Sequence, residues 1–391
     1  MSDYLPAETK LTFVPELNNM TTFLELGINA NYVKALKELS IINPSDVQKE
    51  VIPTLLETKT DFIGLAQTGT GKTAAFGLPI LNTIDPSKTE VQGLIIAPTR
   101  ELVQQIKKQL FKFTKYIPEK IFVEGVYGGE KIDKQIKSLS RPTHIVVATP
   151  GRLLDLLERK AVDIGNVKTL VLDEADEMLS MGFKEDLTKI LAHNTADRNT
   201  WLFSATMPDE IKEIVETYMS DDVVKVEINK DVLVNKNISH HFINTKIKDK
   251  LHVISELLIK RSEERGLIFC RTKAGTRTLA KQLQDEGFSV GALEGDMQQK
   301  EREKVMRAFK KERIQVLVST DVAARGIDVN NLTFVLHHQL PDSLDYYTHR
   351  SGRTARAGKT GQSIALLIPG EKKRMMDAEK ALGITFEEMK V

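Results

Sequence analysis

Between positions 66 and 73 the chain reads Ala66-Gln-Thr-Gly-Thr-Gly-Lys-Thr73, a glycine-rich run that ends in a lysine and a hydroxyl. Glycines at 69 and 71 let backbone N–H groups turn inward around phosphate oxygens, and a helix opening at Thr73 adds partial positive charge. In such a loop Lys72 reaches the β- and γ-phosphates and the Thr73 hydroxyl ligates Mg²⁺. Ala66 stands where the strict pattern has its first glycine. Further on, Leu170-Val-Leu-Asp-Glu-Ala-Asp176 runs an apolar stretch into three carboxylates. Asp173 can hold the same cation from the side opposite Thr73, and Glu174 is placed to orient an attacking water and accept its proton. A bare glycine turn and a solvated acidic helix start are the bland alternatives for the two segments. Occurring together and in this order, they point to nucleoside triphosphate hydrolysis.

Such side chains need a scaffold, and the hydrophobic pattern describes one. Asp61–Leu65, Val91–Ala97, His144–Ala148, Thr169–Asp173 and Thr200–Ser204 are continuous apolar runs of strand length. Runs without polar alternation suit strands buried on both faces of a parallel sheet. Helix formers at helical spacing fill Glu101–Phe113 and Pro208–Tyr218 between them. The same grammar restarts with strands at Gly266–Cys270, Ser289–Leu293, Ile314–Ser319, Leu332–Leu336 and Gln362–Ile368, and helices at Lys273–Glu286 and Gln299–Lys311. The pattern predicts an α/β protein of two tandem parallel-sheet domains joined by a short flexible linker. The expected divisions are a flexible segment 1–20, a first domain 21–228, a linker 229–237, a second domain 238–370 and a helical segment 371–391.

A length of 391 residues agrees with two or more domains, and 41% hydrophobic with 28% charged residues is ordinary for a globular protein. The net charge of +1 offers no sign of a basic nucleic-acid binder. It hides an asymmetry, however: residues 1–230 hold 27 Lys+Arg against 33 Asp+Glu, whereas the remainder is net +7. The single cysteine, Cys270, sits in an apolar run and is expected to be a buried hydrophobe in a reducing compartment. There is no apolar stretch of spanning length and no signal-like start, so a cytoplasmic protein without membrane contact is expected.

The tetrapeptide Asp173-Glu-Ala-Asp176, after that phosphate loop, resembles the signature of the DEAD-box RNA helicases. The rest of that family's ordered motifs can be read over about residues 23–368. They are Phe23 with Pro44–Gln48, Pro98–Leu102, Gly128-Gly129, Thr149–Arg152, Ser204–Thr206, Phe269–Thr272, Gln299–Arg302, Thr320–Asp328 and His349–Arg356. The resemblance implies two RecA-like domains, with ATP and Mg²⁺ in the cleft and RNA, single-stranded or in short duplexes, across both. It implies that Gln48 reads adenine, because one amide can donate and accept at once, and that Phe23 packs on the base. Where the family usually has a glycine-aromatic pair before this motif, the chain has Ser40-Ile41.

By the same resemblance, Ala66, Gln67, Thr68, Gly69, Thr70, Gly71, Lys72 and Thr73 cradle the phosphates, and Gly326 and Asp328 lie on the ribose and phosphate side. Arg353 and Arg356 act as arginine fingers from the second domain, so hydrolysis requires closure. RNA contacts fall to Pro98, Thr99, Arg100, Gly129, Thr149 and Arg152 in the first domain. In the second they fall to Arg271, Thr272, Gln299, Arg302, Thr320 and Arg325. Ser204 and Thr206 hydrogen-bond the Asp176 carboxylate and, with His349, couple the nucleotide to the RNA side. Guanidinium and hydroxyl groups bind phosphate and 2′-OH without reading bases, so sequence-independent binding and local unwinding by a monomer are expected. An ATP-gated RNA clamp with little unwinding is the alternative. A P-loop ATPase without RNA leaves the second-domain motifs unexplained.

Overall fold

The computed structural model describes residues 22–66, 69–193, 197–227, 235–324, 332–355 and 359–390. The first sheet is built from β1 (Phe62–Leu65), β2 (Gly93–Ile96), β3 (Val123–Val126), β4 (Ile145–Ala148), β5 (Thr169–Asp173), β6 (Asn199–Ser204) and β7 (Val224–Glu227). These strands are all parallel and lie side by side in the order β3-β4-β2-β5-β6-β1-β7. The second comprises β8 (Ile238–Asn244), β9 (Gly266–Phe269), β10 (Val290–Leu293), β11 (Val316–Ser319), β12 (Phe334–His337), β13 (Gly361–Leu367) and β14 (Phe386–Glu388). Its order is β10-β11-β9-β12-β13-β8-β14, again parallel throughout.

Helices cover both faces of each sheet, which explains the unbroken apolar runs. Along β2, Ile95 joins one core cluster while Leu94 and Ile96 join the other. Along β9, Leu267 and Phe269 face one way and Ile268 and Cys270 the other. Burying each such side chain contributes ~1.5–3 kcal/mol, so neither face can be left wet. Gly266 is required by packing, since a Cβ there would stand 2.1 Å from the Phe334 ring. Cys270 is 2% exposed, and burial pushes its thiol up to about 12, as befits a structural residue.

Beyond the ten apolar runs and β7, which the strand-like run Val223–Ile228 before the linker anticipates, three strands lie outside the sequence reading. β3 is Val-Glu-Gly-Val, an edge strand whose charge and glycine break the apolar run. β8 places two adjacent histidines, His240 and His241, in an alternating pattern just after the expected linker. β14 is three residues long and joins the edge of β8, so the helix Lys372–Leu382 and this strand complete the second domain. The expected segment 1–20 and most of the linker lie outside the described residues. Of the linker, Asn235 donates to the Ala355 carbonyl at 3.1 Å and Asn237 accepts from Gly361 N–H.

Ser40 occupies the left-handed region, with φ of 61°. A Cβ there costs roughly 1–2 kcal/mol, which glycine avoids, partly offset by the greater freedom of glycine in the unfolded chain. Ser40→Gly is therefore expected to stabilise the first domain by about 1 kcal/mol in urea melts; a lower midpoint would contradict this account.

Candidate functional site

The C-terminal ends of parallel strands are where an open α/β sheet binds ligands. Here that edge is divided. The phosphate loop follows β1, Ser204 ends β6 and Asp173 ends β5, and these three strands are neighbours. The next strands, β2, β4 and β3, lead into Pro98–Arg100, Thr149 and Gly128-Gly129. The nucleotide candidates thus occupy one half of the edge and the RNA candidates the other, with β5 between them.

On the nucleotide half, Gly69 and Gly71 have φ of 82° and 97°, and Gly71 caps the helix Lys72–Thr83. A Cβ on Gly71 would lie 2.5 Å from Gln48 Nε2. Gln48 Nε2 donates to the Gly71 carbonyl at 3.1 Å, its Oε1 accepts from Ser45 N at 2.9 Å, and Ser45 Oγ donates to the Thr70 carbonyl at 2.8 Å. One donor and one acceptor of the Gln48 amide therefore brace the loop, and one of each remains by valence. Lys72 is 7% exposed and its ammonium donates to the Ala66 carbonyl at 2.9 Å. Thr73 is half-buried beside it. Gln67 and Thr68 lie outside the described residues.

Phe23 requires a correction. It is 1% exposed and packs in the first-domain core with Leu26, Ile28 and Tyr32, so its ring has no open face for a base. Its apolar area anchors the segment before the helix Ala30–Glu38 instead.

Burial dominates the acidic strand end. Asp173 is 3% exposed, and desolvation pushes its carboxyl up to about 7, with Lys72 pulling down and Glu174 pushing up. Among the described residues, Asp173 Oδ1 and Glu174 Oε2 are buried without a hydrogen-bond partner. Glu174 holds left-handed geometry, φ 54° and ψ 53°, at the start of the helix Ala175–Ser180. Strained non-glycine backbone beside unpaired buried carboxylate oxygens fits a cation and a reacting water better than a structural role.

Asp176 is tied in by β6. Its Oδ2 accepts from Thr206 Oγ1 at 3.0 Å, Thr206 N at 2.9 Å and Ala205 N at 3.2 Å. Ser204 departs from expectation, because its hydroxyl accepts the Asp176 backbone N–H at 3.3 Å and leaves the carboxylate to its neighbours.

From the second domain comes the helix Leu344–Ser351. It is held by Arg350, bidentate to Asp321 at 2.5 and 2.7 Å, and by a buried polar network. In that network the Tyr347 hydroxyl pairs with His240 Nδ1 at 2.6 Å and Ser363 Oγ at 3.1 Å, and Ser363 pairs with His337 Nε2 at 2.9 Å. The helix meets the first domain through His349 Nδ1, 2.5 Å from Glu177 Oε1. Arg353, 6% exposed, donates from Nε to the His349 carbonyl at 3.2 Å, one turn from that contact. Glu177, Asp321, His349, Arg350 and Arg353 line one cavity there. Arg356, Gly326, Asp328 and Arg325 lie outside the described residues.

The RNA candidates also meet across the cleft. Arg100 pairs with Glu303 at 2.5 Å, and Arg302 pairs with Glu101 at 2.7 Å. Arg100 lies over the Tyr127 ring at 5.1 Å, and the Cβ position of Gly129 is 3.0 Å from Arg100 Nη1 and 3.7 Å from Gln299 Oε1. Arg152 Nη1 donates to the Glu130 carbonyl and to Gln135, bracing the glycine pair. Thr99 and Thr272 spend their hydroxyls capping helices, accepting from Leu102 N and Gly275 N. Pro98 is buried and Thr149 caps the helix Pro150–Glu158 without a side-chain bond. Arg271 pairs with Asp342 at 3.3 Å, and Thr320 is 8% exposed after β11. Sequence reasoning missed Glu101, Glu177 and Glu303. The mirrored Arg-Glu pairs at 100–101 and 302–303 were a signal for two of them, whereas nothing local marks Glu177.

Two family models match this architecture, the DEAD/DEAH box helicase over residues 45–214 and the helicase conserved C-terminal domain over 249–358. The chain belongs to the DEAD-box ATP-dependent RNA helicase family. Among curated relatives, the DEAD-box ATP-dependent RNA helicase CshA of Geobacillus kaustophilus is 41% identical over 372 residues, 95% of this chain and 79% of that one. CshA of Listeria monocytogenes is 43% identical over 353 residues, 90% and 67% of the two chains. S. cerevisiae Dbp5 bound to RNA and ADP BeF3 superposes with a TM-score of 0.87 at 29% identity, covering 95% and 96% of the two chains. A DEAD box protein from Methanococcus jannaschii, 38% identical and covering 95% and 99%, gives 0.56.

The His349 contact predicts a pH dependence. Burial opposes its charged form, but the hydrogen bond and charge of Glu177, helped by Asp176 and opposed by Arg353, leave the imidazole above its ordinary 6.5. The contact is then fully formed below 6.5 and is lost as pH rises through the folded value. Domain closure followed by fluorescence transfer should weaken over that rise, and Glu177→Gln should flatten the curve; identical curves for both would remove the contact from closure.

Proposed function

We propose that ATP is hydrolysed in the cleft between the two domains, expected at 21–228 and 238–370, and that closure on RNA separates short duplexes locally and without regard to sequence. The observation that carries this reading is the His349–Glu177 contact, which brings the helix Leu344–Ser351, with Arg353 just past its end, against the Asp173–Asp176 segment. In this scheme Gly69, Thr70, Gly71 and Lys72 hold the phosphates with Gln67 and Thr68, and the remaining donor and acceptor of Gln48 read adenine. Glu174 orients the water and takes its proton. Arg353 and Arg356 neutralise charge growing on the γ-phosphate, an effect worth ~10³–10⁵ in rate. Gly326 and Asp328 support the ribose side.

Thr73 and Asp173 would hold Mg²⁺. The unpartnered Asp173 Oδ1 fits this, since Mg²⁺ takes one or two protein oxygens and fills its shell with phosphate and water. Bound there, it would offset the negative charge of the phosphates. Arg100, Gly129, Thr149, Arg152, Arg271, Thr272, Gln299, Arg302, Thr320 and Arg325 would contact the RNA in this scheme. For the arginines paired to Glu101 and Glu303, RNA phosphate takes over from a carboxylate. Action in the cytoplasm accords with this chemistry.

Steady-state ATPase with and without single-stranded RNA, and strand release from a short duplex, test the reading. RNA should stimulate turnover, and release should require ATP. Lys72→Ala should abolish both nucleotide binding and turnover, and Glu174→Gln should keep binding while turnover falls at least ~10²-fold. Turnover indifferent to RNA would overturn the RNA reading, and RNA retention with no strand release would favour a clamp.

A further inference from the structure

The helix Gln299–Lys310 divides its surface three ways. Met306 and Phe309 are buried against the second sheet, and Gln299 and Glu303 turn toward the first domain, where Glu303 receives Arg100. The third face carries Lys300, Lys304 and Arg307, continued by Lys311 at the helix end. At 3.6 residues per turn these four lie within about 60° of one another and opposite Phe309. All four are exposed, and among the described residues none forms an ion pair.

Basic residues on a helix are ordinarily a solvated face balanced by acids one turn away. That balance is incomplete here. Glu303 is taken by Gln299 and Arg100, which with a smaller effect of the Arg307 charge hold its carboxyl below the ordinary range, and Glu312 is taken by Arg265. Glu301 is the remaining acid on the helix. The stripe also starts at the cleft, one residue from Gln299 and two from Arg302, and runs ~16 Å away from it at 1.5 Å per residue.

We propose that Lys300, Lys304, Arg307 and Lys311 form a track for the RNA backbone, taking phosphates of the strand that leaves the cleft. This rests on the RNA reading above and adds a second segment to the path. Contacts of this kind carry no sequence information, so the track would add affinity and length dependence alone. Each single-strand phosphate neutralised adds ~0.7 to the slope of log affinity against log salt, so four add roughly 3.

The test uses the full chain with Lys300→Ala, Lys304→Ala, Arg307→Ala and Lys311→Ala combined, alanine being the residue that best keeps a helix. Affinity is measured with a non-hydrolysable ATP analogue over a salt series, for a single-stranded RNA that only fills the cleft and for one three times as long. The wild type should bind the longer RNA more tightly and with the steeper slope. The variant should lose ~10-fold or more on the longer RNA and nothing on the shorter. Equal affinity of variant and wild type for the longer RNA would overturn the track, as would an equal loss on both lengths, which would mark a bulk charge effect. If the wild type failed to bind the shorter RNA, the cleft reading itself would fall, and the track with it.

Discussion

The two domains meet through charged hydrogen bonds, and the working of the rest depends on that. His349 reaches Glu177, Arg100 reaches Glu303 and Arg302 reaches Glu101. Exposed ion pairs contribute ~0–1 kcal/mol each, and partly buried ones give back much of their Coulomb energy as lost hydration. Such a joint can close and reopen under the influence of a ligand, which a joint of interlocked leucines could not do at similar cost. Both arginines of the outer pairs are held by carboxylates, groups with the charge and geometry to mimic a phosphate.

The division of the sheet edge follows from strand order. Because β1, β6 and β5 are neighbours, the phosphate loop, Ser204–Thr206 and Asp173–Asp176 converge although they are far apart in sequence. Because β5 also borders β2, Asp176 and Glu177 stand at the border between the two halves. Asp176 answers to Thr206 on one side, and the next residue answers to His349 on the other. Two consecutive side chains thus connect the end of β6 to the second domain.

Much of this is legible in the sequence because buried parallel strands write themselves as plain apolar runs and phosphate loops need glycine at fixed places. The ten strands expected in those runs are all present, with ends moved by one or two residues. The features that escape it are either edge structure or long-range pairing. β3 and β14 are short and half-exposed, so packing does not force an apolar pattern on them. Phe23 escapes because an aromatic side chain offers the same composition to a base and to a core, and only the surrounding Leu26, Ile28 and Tyr32 decide. Glu177 finds its partner across the cleft, which no local spacing encodes.

One small strand has a consequence for how the molecule lives among its copies. The last strand of the second sheet, Phe386–Glu388, is three residues long and presents Glu387 and Glu388 at the border. A sheet border is an open row of donors and acceptors, ready to zip onto another chain. Here the row is too short and too acidic to template such growth, so this border resists fibril-like stacking however crowded the solution.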